Sequence, residues 1–165
     1  MKKEERFNQI VTENNERILR ICSYYGTNYR DDLYQEVLIN IWRSLANFNG
    51  SCAISTWVYR VAINTSLTFA GKAHKQRRLI ATDLPVENMS LLVDEVEQER
   101  EAEQLMVKLQ NELSLLPIID CALISLVLEG LSMKEIADVV GLTESNVKVK
   151  IHRIKADLKT KLNKE

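Results

Sequence analysis

Residues 131–148, Leu-Ser-Met-Lys-Glu-Ile-Ala-Asp-Val-Val-Gly-Leu-Thr-Glu-Ser-Asn-Val-Lys, constrain this chain more than any other stretch. Ser132 and Glu135 are spaced as a capping box, in which each side chain satisfies a free backbone N–H of the first turn, so a helix starts there. Gly141 supplies the positive φ that ends it, and Thr143 caps the next helix. Ala137 is small where a crossing helix must approach closely, and Val147 returns an apolar side chain toward Ile136 and Val140. A small residue, a turn glycine four later and an apolar residue six beyond that is the spacing of a helix-turn-helix.

In the helix that follows, Val147, Ile151, Ile154 and Leu158 form one stripe that must face a core. Ser145, Val149 and His152 point away from it, with Asn146, Lys148, Lys150 and Arg153 on the flanks. Short polar groups at the N-terminal end of a basic helix suit entry into a DNA major groove. Ser145, Asn146, Val149 and His152 are then expected at base edges, Val149 through a thymine methyl, and Lys148, Lys150, Arg153 and Lys155 chiefly at phosphates. The competing reading is an antiparallel helical hairpin with a solvated basic face.

The remainder also reads as helix. Only 5 Gly and 2 Pro occur in 165 residues, and apolar positions mostly recur at three and four, which predicts an all-α chain. Phe7, Ile10, Val11, Ile18 and Ile21 suit a first helix. A second, capped by Asp31 or Asp32, runs through Leu33, Val37, Ile41 and Leu45. A third, capped by Ser55 or Thr56, runs through Trp57, Val58, Val61, Ala62 and Leu67 toward Arg78. Periodicity lapses around Pro85, a helix rich in Glu, Gln and Leu follows from about residue 94, and Pro117 suits the first turn of another. Two small helical domains are expected, residues 1–80 and 106–165, joined by an acidic linker over 81–105.

Charge follows the same division. The net charge is −1, yet no acidic residue lies between Glu36 and Asp83, and six basic ones do. Residues 83–103 are strongly acidic, and the basic side chains return from Lys148 onward. Two polyanion-facing surfaces on either side of an acidic connector account for this, as does an ordinary mosaic of solvated faces. The apolar run from Leu113 to Leu128 is interrupted and too short for a membrane span. Nothing behind Met1 resembles a signal peptide, so a cytoplasmic location is expected. Cys22, Cys52 and Cys121 form no CxxC pair, and a nucleophile set, phosphate loop or metal cluster is not apparent. No enzyme activity, cofactor or metal is therefore expected.

In the N-terminal half, Asp32, Gln35 and Glu36 share a polar helix surface whose opposite face is apolar and carries Trp42. Such a surface meets a basic partner or is solvated; a carboxylate metal site is a third option, which no nearby His or second acidic helix supports. Phe48, Trp57 and Tyr59 are interleaved with Arg60, Asn64 and the Lys72 to Arg78 cluster. Aromatics beside cations suit single-stranded DNA, whose bases stack on rings while cations track the backbone. Core positions for Trp57 and Tyr59 are the alternative.

Asp32-Leu-Tyr-Gln-Glu-Val with Trp42, then Phe48 to Ser55, then Thr56-Trp-Val-Tyr-Arg-Val-Ala-Ile-Asn64, resembles the second conserved region of extracytoplasmic-function sigma factors of the sigma-70 family. Leu116-Pro117, Glu129-Gly-Leu-Ser-Met-Lys-Glu-Ile-Ala and Ser145 to Arg153 resemble their fourth region. The resemblance implies a subunit that directs RNA polymerase to promoters. It places Asp32, Leu33, Gln35, Glu36 and Trp42 on the clamp helices of core polymerase. It places Phe48, Asn49, Ser51, Trp57, Tyr59, Arg60 and Asn64 at the melted minus-ten element, and Ser145, Asn146, Lys148, Val149, Lys150, His152 and Arg153 at the minus-thirty-five duplex. It further implies a chain that is monomeric when free and is held by an anti-sigma factor. Cys121 stands where arginine is frequent in that family, and the loop Asn49 to Ile54 lacks the usual charge. The alternative of another class is a freestanding helix-turn-helix regulator that acts as a dimer.

Overall fold

A computed structural model describes residues 2–25, 29–79 and 97–163, with side chains described over 2–25, 29–72 and 102–163. Among the described residues seven α-helices follow in order: α1 (Lys3–Ser23), α2 (Arg30–Ser44), α3 (Ile54–Leu79), α4 (Glu97–Leu115), α5 (Ile118–Leu128), α6 (Met133–Val140) and α7 (Glu144–Leu162), with a 3-10 turn at Leu45–Asn47 after α2. No strand occurs among the described residues.

The first three helices pack each on the other two. Ile10, Ile18, Ile21, Leu33, Val37, Ile41, Trp57, Val58 and Ile63 are their buried faces, and a fully buried side chain of this size contributes about 1.5–3 kcal/mol. Polar contacts set the register. Tyr34 donates to Asn15 Oδ1 at 2.6 Å, joining α2 to α1, and Asn40 Nδ2 donates to Thr65 Oγ1 at 3.1 Å, joining α2 to α3. The buried Asn14 is satisfied at both ends, donating to the Ile10 carbonyl and accepting from Arg17, as a polar group out of water must be.

The other helices gather around α5. Every side chain from Cys121 to Leu126 on it is buried, because α7 covers one side, α6 another and α3 a third. α4 lies along α7, where Lys108 Nζ donates to the Leu162 carbonyl at 3.0 Å, and it buries Leu113, while Leu105 and Met106 stay exposed.

Several helix starts differ from expectation. α2 begins at Arg30 with Tyr29 at its N-cap and no side-chain cap, so Asp31 and Asp32 sit in the first turn, where they favour the positive end of the helix dipole. α3 begins at Ile54, with the Trp57 N–H bonded to the Ala53 carbonyl, which puts Ser55 and Thr56 inside the helix instead of at its cap. Pro117 is the N-cap of α5 rather than part of its first turn. α4 begins at Glu97, so residues 97–105 of the acidic segment are helical, while 81–96 and the 26–28 turn lie outside the described residues.

Candidate nucleic-acid interface

The helix-turn-helix forms as its local chemistry dictates. Glu135 N–H donates to Ser132 Oγ at 3.3 Å and Ser132 N–H to Glu135 Oε2 at 2.8 Å. That reciprocal bonding holds the Glu135 carboxyl below its usual range, chiefly through the Ser132 backbone N–H. Gly141 closes α6 at φ 73°, and the Asn146 N–H reaches Thr143 Oγ1 at 3.3 Å to open α7. Val147, Ile151, Ile154 and Leu158 are buried. Ser145, Asn146, Lys148, Val149, Lys150, His152 and Arg153 are all exposed on the opposite side, Val149 at 50%. Lys148 is held 2.8 Å from Glu144 one turn earlier. Its hydrogen bond, before its charge, lowers the Glu144 carboxyl.

In the N-terminal half the loop between α2 and α3 is shaped by its own side chains. Asn49 Oδ1 accepts the Ser51 N–H at 3.1 Å, and Gly50 adopts φ 75°, so this Asx-type turn presents Asn49, Gly50 and Ser51 to solvent. Phe48 packs on Trp57 and has the Arg6 guanidinium 5.4 Å from its ring centroid. Asn64 is exposed further along α3. Beside it an open groove of about 640 Å³ runs between α2 and α3, with Glu36, Asn40, Arg43, Asn64, Thr68 and Lys72 in its walls. Asn40 and Thr68 lie outside the sequence expectation, and Arg43 enters it only as one of the six basic residues between Glu36 and Asp83. Polar residues at 36, 40 and 43, and at 64, 68 and 72, recur at helical spacing and were the available signal.

Three expected contact residues are in the core. Leu33 is 0% exposed and belongs to the core that anchors α2. Trp57 and Tyr59 are buried as well. Trp42 is half-buried, edge-on to Phe7 at 5.3 Å with Lys3 Nζ 4.3 Å over its ring. Asp32 and Gln35 are exposed and Glu36 partly so, all on α2.

Tyr59 and Arg60 instead face the second half of the chain. Glu129, at the end of α5, receives two hydrogen bonds from Arg20, Nε to Oε1 at 2.8 Å and Nη2 to Oε2 at 2.9 Å, and a third from the Tyr59 hydroxyl at 3.0 Å. Burial, and then the Glu129 charge and hydrogen bond, push the Tyr59 hydroxyl up to about 12, and the same carboxylate raises the Arg20 guanidinium further. Arg60 Nη2 donates to the Asp138 carbonyl on α6 at 2.9 Å, while its Nε is buried without a partner. A buried donor left unpaired costs about 1–3 kcal/mol.

Among the described residues no group of His, Cys, Asp and Glu could hold a metal ion, and no helix is long and apolar enough to cross a membrane. Burial pushes both Cys22 and Cys121 up to about 12, the opposite of what a reactive thiolate needs.

Residues 10–76 match the family model for sigma-70 region 2, and residues 106–158 match that for sigma-70 region 4. The chain is similar to the ECF RNA polymerase sigma-E factor of Haemophilus influenzae, at 28% identity over 94% of this chain and 87% of that one. It is also similar to the RNA polymerase sigma-H factor of Pseudomonas aeruginosa, at 30% identity over 74% and 67%. Its fold matches that of the sigma factor RpoE of Bartonella quintana, solved in complex with the anti-sigma factor NepR, with a TM-score of 0.71 at 15% identity over 98% of this chain and 99% of that one. With region 2 carried by the α1–α3 half and region 4 by the helix-turn-helix half, in that order along nearly the whole length, the chain belongs to the ECF group of the sigma-70 family of RNA polymerase sigma factors.

Proposed function

We propose that the chain binds core RNA polymerase and directs it to a defined set of promoters, with residues 1–80 docking on polymerase and capturing the melted minus-ten strand, 81–105 connecting, and 106–165 reading the minus-thirty-five duplex. One observation carries this reading. A single chain offers an exposed, capped recognition helix, Ser145 to Arg153, and, elsewhere, a preformed loop with exposed Asn49 and Ser51 beside the tilted Phe48–Trp57 ring pair. Those are the tools for duplex and for single strand respectively.

Asp32, Gln35 and Glu36 on the exposed side of α2 meet the clamp helices of core polymerase, Leu33 and Trp42 supporting them from within. Asn49, Ser51 and Asn64 meet unpaired bases, with Phe48 and Trp57 as the ring support behind the loop; Tyr59 and Arg60 join them when exposed. Capturing an extruded base offsets an unstacking cost of a few kcal/mol. The role is regulatory rather than catalytic, needs no cofactor, and is carried out in the cytoplasm by a chain that is monomeric when free. An anti-sigma factor, the partner named for the Bartonella relative, restrains this chain too.

The test is co-elution of the purified chain with bacterial core RNA polymerase, followed by transcription from a fragmented genomic library. Stoichiometric binding and new start sites that share two upstream elements are the expected result. Failure of the folded chain to bind a cognate core overturns the reading.

A further inference from the structure

Tyr59 and Arg60, two of the residues assigned to the minus-ten strand, are occupied in the free chain by the half that reads the other promoter element. The Tyr59 hydroxyl donates a hydrogen bond to Glu129 Oε2 at 3.0 Å and Arg60 Nη2 donates one to the Asp138 carbonyl at 2.9 Å. Arg20 on α1 grips the same Glu129 carboxylate with two parallel bonds, and the Glu129 side chain is 1% exposed. α5 and α6 both pack on α3, and the start of α3, Ser55 and Thr56, lines a small crevice of about 210 Å³ with Gly130, Leu131 and Glu135 opposite. While that contact holds, Tyr59 is buried and Arg60, still partly exposed, has one guanidinium nitrogen committed to α6.

We infer that Glu129 is an intramolecular latch: clasped by Arg20 and Tyr59, it holds the helix-turn-helix half over the strand-reading end of α3 and keeps the free chain from engaging unpaired DNA. The inference rests on the assignment of Tyr59 and Arg60 to the minus-ten strand. Two features fit a device that must open. The closed state leaves the Arg60 Nε buried without an acceptor, a cost that ends once the guanidinium meets water or a phosphate. The clasp is also concentrated on one carboxylate, so that its release frees Arg20 and Tyr59 together. A bidentate guanidinium–carboxylate pair with a hydroxyl bond on the same oxygen pair sets a geometry that a shifted α5 cannot keep.

Arg20→Ala, Glu129→Ala and the milder Glu129→Gln, all outside the polymerase and DNA surfaces assigned above, test it in the full chain. Circular dichroism first confirms native helix content. Small-angle scattering then gives the radius of gyration, and fluorescence anisotropy gives affinity for a fluorescein-labelled, random-sequence single-stranded DNA 12-mer. Both alanine variants are expected to expand and to bind the 12-mer about tenfold more tightly than the native chain, with Glu129→Gln between. Variants that stay as compact as the native chain, or that expand without tighter strand binding, overturn the latch. A native chain that fails to bind core polymerase while the variants expand and bind more tightly removes the sigma reading and leaves the latch standing as a gate on DNA binding.

Discussion

Phe48 and Trp57 face each other across the loop between α2 and α3, with ring centroids 5.0 Å apart and planes tilted by 41°. The pair closes the base of a turn whose tip, Asn49 to Ser51, is exposed. The loop is thus held in shape before any ligand arrives, which reduces the ordering cost of binding. Replacing Phe48 with Leu keeps apolar bulk and removes the ring contact. Thermal denaturation should show a loss of about 1 kcal/mol, and in the unlatched Glu129→Ala background affinity for single-stranded DNA should fall with it. Unchanged strand affinity in the folded variant would detach the loop from DNA recognition.

Gly141 offers a backbone test of the helix-turn-helix. A Cβ at this position would meet nothing within 4 Å, yet φ is +73°, so Gly141→Ala is a conformational penalty without a clash. A loss of about 1–2 kcal/mol is expected, with Gly141→Asn losing less because asparagine tolerates the left-handed region. Urea unfolding of the two variants measures it, and equal stability of all three chains would contradict the turn geometry.

Lys150 and Arg153 are exposed on the free side of α7. Lys150→Ala and Arg153→Ala should each weaken binding to minus-thirty-five duplex in the polymerase complex and lower the slope of log affinity against log salt by about 0.9. A titration from low to moderate salt reads both effects. An unaltered slope would place these side chains away from phosphate.

Charge reversal of Asp32 and Glu36 to Lys addresses the polymerase surface. Asp32 is exposed and Glu36 partly so, so the fold should survive while core binding is lost. Size-exclusion chromatography with core polymerase distinguishes the outcomes, and retained stoichiometric binding by the folded double variant would refute the docking face.

Alkaline stability follows from burial. Cys22 and Cys121 have thiols pushed up to about 12 from an ordinary 9.0. Because the folded value is the higher, the native state holds these protons longer than the unfolded chain does. Stability is therefore fully present below about pH 9 and declines as pH rises toward 12, by about 1.4 kcal/mol per pH unit for each thiol while only the unfolded form titrates. Urea midpoints at pH 8 and pH 10 should differ accordingly, and the Cys22→Ala, Cys121→Ala double variant should lessen the difference. Identical midpoints for the native chain would mean that water reaches both thiols.

How far the sequence could be read depended on the distance over which each feature is encoded. The helix-turn-helix was legible because its determinants are local: Ser132 and Glu135 lie three residues apart, and Gly141 and Thr143 act on their own helix ends. The α2 and α3 starts were misplaced because several adjacent polar residues could cap, and the choice depended on how Tyr29 and Ala53 enter the fold. Leu33 and Tyr59 show a different limit. Amphipathic spacing identifies an apolar face but not whether another helix or another molecule covers it. The clasp of Arg20 on Glu129 joins residues 109 apart, and no local pattern announces a bond of that span.

The contact between Tyr59 and Glu129 also has an order in time. The ribosome delivers the chain N-terminus first, and these two residues are 70 positions apart. At about 5–20 residues per second, the end of α3 that carries Tyr59 and Arg60 exists for about 4–14 seconds before its covering helices have been synthesised. Every nascent copy thus begins with that surface bare, and is closed by its own C-terminal half.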